Sequence, residues 1–386
     1  MKLIKNAHIV TMEGSDFEHG YLLIDGDKIA AVGDMKDAPA SADEIIDADG
    51  LYLLPGFVDA HCHVGMWEES IGEAGADGNE ETAPITPQLR AVDAINPFDE
   101  AFENARKSGV TTVVTGPGSA NVLGGQFAAL KTDGICVDEM IIKAPVAQKA
   151  ALGENPKASY GAKNQAPMTR MASVALLRET LLKAKEYARK WDTYNQNPKK
   201  EERPELDFQL ESLLPVIRRE IPLKVHAHRA DDICTAIRIG EEFEIRITLE
   251  HCTEGHLIAD ILKDKNLPIT LGPTLGSKTK PELSNLSYAV YTELEKRGVD
   301  FAIMTDHGEI PIQELYLCAM LALRAGITKE TALRAITINA AKNAGIDDRV
   351  GSIRVGKDAD ILLMRGEPMT FDARIEKVFI GGKQIL

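Results

Sequence analysis

Apolar and polar positions along this chain change rhythm twice. From the N-terminus to about residue 55 the apolar residues come in short extended runs, Leu3-Ile4, Ala7 to Met12 and Tyr21 to Gly33. The last of these is broken by Asp25-Gly26-Asp27, a turn sequence that predicts a hairpin. The C-terminal end repeats the pattern in Ile361-Leu362-Leu363-Met364 and Val378-Phe379-Ile380-Gly381-Gly382-Lys383. Two strand-rich ends around a helix-rich middle predict one small β domain made from both termini, residues 1–55 with 350–386, around a central domain of residues 56–349.

The middle alternates strand-like and helix-like segments. Apolar runs at Val110–Thr115, Phe127–Leu130, Met140–Ile142, Leu223–His226, Ile245–Leu249, Ile269–Leu271 and Phe301–Met304 read as strands. Helical patterns cover Asp99–Lys107, Asp231–Glu242, His256–Asp264, Pro281–Arg297 and Ile312–Ala325. This rhythm predicts a parallel sheet with crossover helices, and about eight strands fit a closed (β/α)8 barrel better than an open sheet. No Gly-x-Gly-x-x-Gly follows the first strand, which disfavours a dinucleotide fold. Residues 65–98 and 155–205 are too long for tight connections. The first reads as a lid over whatever lies near residue 63, and the second as a long helix to about Tyr194 followed by a solvated loop.

The chemistry starts at Pro55-Gly56-Phe57-Val58-Asp59-Ala60-His61-Cys62-His63-Val64. On an extended segment His61 and His63 face the same way, so the two imidazoles can grip one cation. Alone, such a pair is as well explained by a polar gap in a core. Of nine histidines, however, six sit at predicted strand ends: His61, His63, His226, His228, His251 and His307. Barrel strands converge at their C-terminal ends on one mouth, where barrel enzymes do chemistry. Neutral imidazoles with a carboxylate such as Asp306 suit zinc and other divalent first-row ions.

Charge and composition narrow the partners. A net charge of −15 argues against nucleic acid and anionic membranes, leaving a small-molecule substrate. Five cysteines without CxxC spacing imply a reducing compartment, and Cys62 and Cys252, each beside a histidine, read as packing residues. With no signal-peptide pattern and no membrane-length apolar run, the expectation is a cytoplasmic protein.

His-Cys-His after Pro-Gly-Phe-Val-Asp, Val225-His226-Ala227-His228, Leu249-Glu250-His251 and Met304-Thr305-Asp306-His307 together resemble the amidohydrolase superfamily. Ile338-Asn339-Ala340-Ala341, Val350-Gly351-Ser352-Ile353 and Gly356-Lys357-Asp358-Ala359-Asp360-Ile361 resemble its imidazolonepropionase-related branch. The likeness covers nearly the whole chain, in order. It implies a metal-bearing barrel with a β-sandwich from both ends, and suggests a homo-oligomer. It further implies one divalent ion, most simply zinc, on His61, His63 and Asp306, with His226 and His251 serving a second ion or completing the first. His228 would line the substrate pocket. His307, of the wrong strand parity for a ligand, would support the site or face substrate. Members with two metals bridge them by a carboxylated lysine or a glutamate. Lys143, Lys149 and Glu154 compete for that place, with Glu154 favoured because Gly153-Glu154 resembles a segment of adenine deaminases.

The implied chemistry is attack of activated water on an sp² carbon, with Asp306 taking the proton and delivering it to the departing nitrogen. Deaminases of the family carry His-x-x-Glu at the fifth strand, whereas here Arg229 follows His226 by three and Asp231 follows His228 by three. Amide hydrolysis is therefore expected over the alternative, deamination of a nitrogen heterocycle. Arg170 and Arg229 could bind a substrate carboxylate, favouring a dipeptide, an acyl amino acid or a cyclic amide. A non-catalytic scaffold would have no need of so many converging ligands.

Overall fold

A computed structural model describes all residues, Met1 to Leu386. The N-terminal strands are β1 (Lys2–Ile9), β2 (Phe17–Asp25), β3 (Lys28–Asp34), β4 (Glu44–Asp47) and β5 (Tyr52–Pro55). The central strands are β6 (Phe57–Cys62), β7 (Val110–Thr115), β8 (Leu123–Lys131), β9 (Ile141–Ala151), β10 (Leu223–Ala227), β11 (Ile247–His251), β12 (Ile269–Leu271) and β13 (Ala302–Ile303). β14 (Ile361–Arg365), β15 (Arg374–Ile380) and β16 (Lys383–Gln384) close the chain.

Strands β6 to β13 form one eight-stranded sheet in sequence order. It curls into a nearly closed barrel. No ladder joins β13 to β6, but across that seam His63 N donates to His307 O at 2.7 Å and Asp306 N donates to His61 O at 3.2 Å. β7, with the sequence Val-Thr-Thr-Val-Val-Thr, is buried at every position, as a strand covered on both faces must be. The helix Glu100–Lys107 precedes it. Asp99 caps that helix by accepting from Ala101 N, and acidic residues in its first turn with basic ones in its last suit its dipole.

One strand departs from the expected parallel barrel. β8 runs antiparallel to both β7 and β9. Only residues 116–122 join β7 to β8, and residues 132–140 join β8 to β9. Each link is shorter than the dozen or so residues a parallel crossover needs. Two expected helices are also interrupted. The 281–297 segment is a single turn at Pro281–Leu283 and a helix at Ala289–Lys296, separated by residues 284–288, where Ser287 Oγ accepts from Ala289 N and the Asn285 side chain is drawn to Glu254. Residues 255–265 likewise divide into a turn and the short helix Ala259–Lys265.

Strands from both chain ends hydrogen-bond into one eight-stranded sheet. β1 pairs along one edge with β2, and along the other with β4 through Lys2–Lys5 and with β5 through His8–Ile9. Ile4, Ile9, Leu22, Leu53, Ile361 and Phe379 give this sheet its own core. Lys131 of β8 pins it to the barrel by pairing with Asp358 (2.8 Å) and Asp360, while Arg349 also holds Asp358. Gly56, at the handover from β5 to β6, has no room for a side chain: a Cβ there would lie 2.0 Å from Thr111 Oγ1. No helix is long and apolar enough to cross a membrane.

Candidate metal centre

The register of the barrel brings the histidines together. β10 pairs with β11 so that His226 faces Glu250 and Ala227 faces His251. Alternation then turns Lys224, His226 and His228 to the barrel interior. His61 comes from β6, with His63 just after it, and Asp306 follows β13. Ligand atoms of His226, His228 and His251 lie within 4.8 Å of one another, as do those of His61, His251 and Asp306. His63 Nε2 is 3.2 Å from Asp306 Oδ1.

Hydrogen bonds orient the rings. His61 Nδ1 donates to Glu250 Oε2 at 2.9 Å, His63 Nδ1 to Gly116 O at 2.7 Å and His251 Nδ1 to Gly272 O at 2.8 Å. His228 Nδ1 meets Thr253 Oγ1 at 2.7 Å. Fixing Nδ1 leaves Nε2 of each ring for a ligand, the usual arrangement of metal-binding histidines. His226 Nε2, His251 Nε2 and Asp306 Oδ1 are buried without a hydrogen-bond partner. Three orphaned buried acceptors facing one space are costly unless a cation satisfies them, so the donor set fits a divalent metal. His251 and Asp306 both adopt left-handed backbone conformations (φ +73° and +53°), a strain that clusters at functional sites.

Electrostatics agree. Burial pushes the His61, His226 and His251 rings well below the usual imidazole pKa, and nearby Lys149 adds to this, so they stay neutral and able to coordinate. Burial and then Lys280 bring His228 down to about 4. Burial would raise Asp306, but the His63 ring 3.2 Å from Oδ1, with His61 and the Lys149 charge beyond it, wins and holds it well below the carboxylate range. Asp59, at the base of the site, is raised to about 7 by burial, against bonds from Thr305 and the His61 amide.

Of Lys143, Lys149 and Glu154, Lys149 is the one beside the ligands. It is fully buried, with Nζ 3.2 Å from His61 Nε2. Burial lowers it to about 8, despite Asp306 and Glu250. Glu154, favoured from the sequence, belongs to neither ligand group. It begins the helix Glu154–Gly161, where its backbone N–H donates to Glu282 Oε2 (3.0 Å) and its carboxylate accepts from Glu282 N (3.3 Å). Lys143 lies six residues before Lys149 on β9, about 20 Å down the strand, where it donates to Gly345 O. The two arginines are also engaged elsewhere. Arg170 Nε is 3.0 Å from both Asp232 oxygens, and Arg229, largely exposed, forks onto Asp231. His307 is buried, accepts from Ile312 N and stands 3.8 Å from Glu69, apart from both ligand groups.

Sequence reasoning passed over Glu250 and Lys224. Glu250 accepts from His61 and from Thr248, and Lys224 Nζ pairs with it at 2.9 Å in the barrel interior. A carboxylate inside the otherwise buried Ile-Thr-Leu-Glu-His strand was the available signal, because such a group needs a partner. Above the ligands opens a cavity of about 840 Å³. The 65–98 segment forms part of its wall, with the Trp67 ring 4.7 Å from that of His63.

The sequence profile of the amidohydrolase family matches residues 52–385. A crystal structure of an amidohydrolase from Thermotoga maritima superposes with a TM-score of 0.95 at 41% identity, covering 100% of both chains. Imidazolonepropionase of Christiangramia forsetii is 23% identical over 99% of this chain and 97% of its own length. Amidohydrolase tasK of Hapsidospora irregularis is 27% identical over 88% of this chain, which spans only 37% of that longer protein. The family is typically metal-dependent, in keeping with the His/Asp cluster at the barrel mouth. The chain belongs to the amidohydrolase family and is a hydrolase acting on carbon–nitrogen bonds.

Proposed function

We propose that the protein cleaves the C–N amide bond of a small substrate, a dipeptide, N-acyl amino acid or cyclic amide, with water activated at a zinc centre in the 56–349 barrel. The observation that carries this reading is the set of buried, unpartnered Nε2 atoms of His226 and His251 and Oδ1 of Asp306. His61, His63 and Asp306 would hold one ion and His226 with His251 another. Lys149, as a carbamate formed when its neutral amine adds carbon dioxide and loses a proton, would complete the ligand set. Bound metal supplies Lewis acidity, acidifying water and polarising a carbonyl oxygen.

The chain's own groups do the rest. Asp306, kept ionised by its neighbours, takes the proton of the attacking water and returns it to the departing nitrogen. His228, with Nδ1 held by Thr253 and Nε2 toward the cavity, donates to the substrate oxygen in the tautomer that protonates Nε2. Trp67 and the rest of the cavity wall would surround the bound substrate.

Purified protein loaded with zinc should cleave members of a panel of dipeptides and N-acyl amino acids. Asp306→Asn should keep its fold while turnover falls about 10²- to 10⁴-fold, the range expected for loss of a positioned proton carrier. Substantial turnover in that variant removes Asp306 from the role. Ammonia release from heterocyclic amines, with no amide cleavage, would replace this reading by deamination.

A further inference from the structure

With Arg170 and Arg229 committed to aspartates, the cavity wall contains a single lysine or arginine, Lys280. Its seat is built. Nζ lies 2.8 Å from Glu282 Oε1 and donates to Asn155 Oδ1, also at 2.8 Å. Asn155 is itself fixed, its Nδ2 donating to Ser119 Oγ at 2.7 Å. Glu282 is 1% exposed and tied in both directions to Glu154. Glu154 thus fastens the segment that carries Lys280 onto the segment that follows β9.

An ammonium has three donors. One is taken by Asn155, Glu282 pairs with the charge at 2.8 Å without accepting a hydrogen bond, and the side chain stays about a quarter exposed (26%) toward the cavity. A tethered lysine has already given up most of its rotamer freedom, so a ligand that meets it avoids much of that cost. Its place relative to the chemistry is equally defined. Glu282 Oε1 is 3.7 Å from His228 Nε2 and 3.9 Å from His226 Nε2, which sets the ammonium beside the candidate metal ligands. The same wall offers Leu283, Leu286 and Ile310, room for an apolar side chain.

We propose that Lys280 is the anchor for a substrate carboxylate adjacent to the scissile amide, with Glu282 and Asn155 as its positioning residues. This rests on the amide-hydrolase reading and narrows it to substrates ending in a free α-carboxylate, such as N-acyl amino acids with apolar side chains. A neutral cyclic amide would bring no charge to pair with the ammonium.

The test is a binding measurement that needs no turnover. Zinc-loaded protein is titrated by calorimetry with 2-isobutyl-4-oxopentanoate, the uncleavable carbon analogue of N-acetyl-leucine, and with its carboxamide. The acid should bind about 10- to 100-fold more tightly, the worth of one hydrogen bond to a charged group. Lys280→Met should bring the two within about twofold, and Lys280→Arg should retain most of the preference. Because Lys280→Met strands the Glu282 carboxylate, the Lys280→Met/Glu282→Gln double variant is measured beside it and should show the same loss. Equal binding of acid and amide by the parent protein, binding of neither, or a preference that survives in both methionine variants overturns the proposal. The last result would assign the carboxylate to the metal. Cleavage of N-acetyl-leucine is assayed separately: a Lys280-dependent preference without cleavage refutes the hydrolase reading alone, and cleavage without that preference refutes only the anchor.

Discussion

Replacing Lys149 by methionine isolates the most unusual charge in the barrel. The lysine is fully buried, no carboxylate pairs with it by salt bridge, and it lies 3.2 Å from an imidazole nitrogen and 5.4 Å from the centre of the Phe127 ring. Burial, opposed by Asp306 and Glu250, lowers its pKa from 10.5 to about 8. At 1.36 kcal/mol per unit, holding the ammonium charged in the folded protein costs about 3 kcal/mol. Below pH 8 both folded and unfolded chains carry the charge, so the cost is fully present. It shrinks as pH rises through 8 and is gone above 10.5, where both are neutral. Methionine is of similar length and has no charge to desolvate. Metal-free Lys149→Met should therefore be more stable than the parent by up to about 3 kcal/mol at pH 7, with the gain fading toward pH 10.5. Urea denaturation of both proteins, stripped of metal and kept free of carbon dioxide, measures this. The same variant, loaded with zinc, should retain less metal by elemental analysis and lose hydrolysis, since it cannot form a carbamate. A variant that is less stable at pH 7, or that keeps full metal content and activity, would refute the reasoning. The lysine would then be a structural cation with a partner of its own.

Two other outcomes follow from the ligand shell. The metal-free protein should lose stability as pH falls below about 6.5, because unfolding lets buried His61, His226 and His251 take up protons they cannot hold when folded. Each contributes at most about 1.4 kcal/mol per pH unit, and a melting temperature unchanged between pH 7 and 5.5 would contradict it. Glu250→Gln should weaken zinc binding about 10- to 100-fold in a chelator competition, through loss of the carboxylate that orients His61. If Lys224→Met added to that variant restores stability but not zinc affinity, the two roles of Glu250 separate. An unchanged affinity would leave it only the ion pair with Lys224.

Much of the fold can be read along the chain, for a local reason. Period and turn chemistry are properties of neighbouring residues, so the strand-rich ends, the alternating middle and the histidines at strand ends are all visible there. The length of each link is less visible. The sequence places the next apolar run only at Phe127, whereas β8 begins at Leu123, and it is this earlier start that leaves residues 116–122 too few for a parallel crossover.

The sequence by itself determined the family, the barrel and the identity of the clustered histidines and Asp306, because these depend on short spacings. Only the tertiary structure placed Lys149 rather than Glu154 beside the clustered histidines, since a residue's depth in the barrel depends on register between strands far apart in sequence. It also decided the fate of the charges. Arg170 and Arg229 found aspartates, Glu154 found Glu282, and Lys280 was left facing the cavity. A charged side chain takes the partner that folding brings within reach, and nothing in its immediate neighbours announces which one that will be.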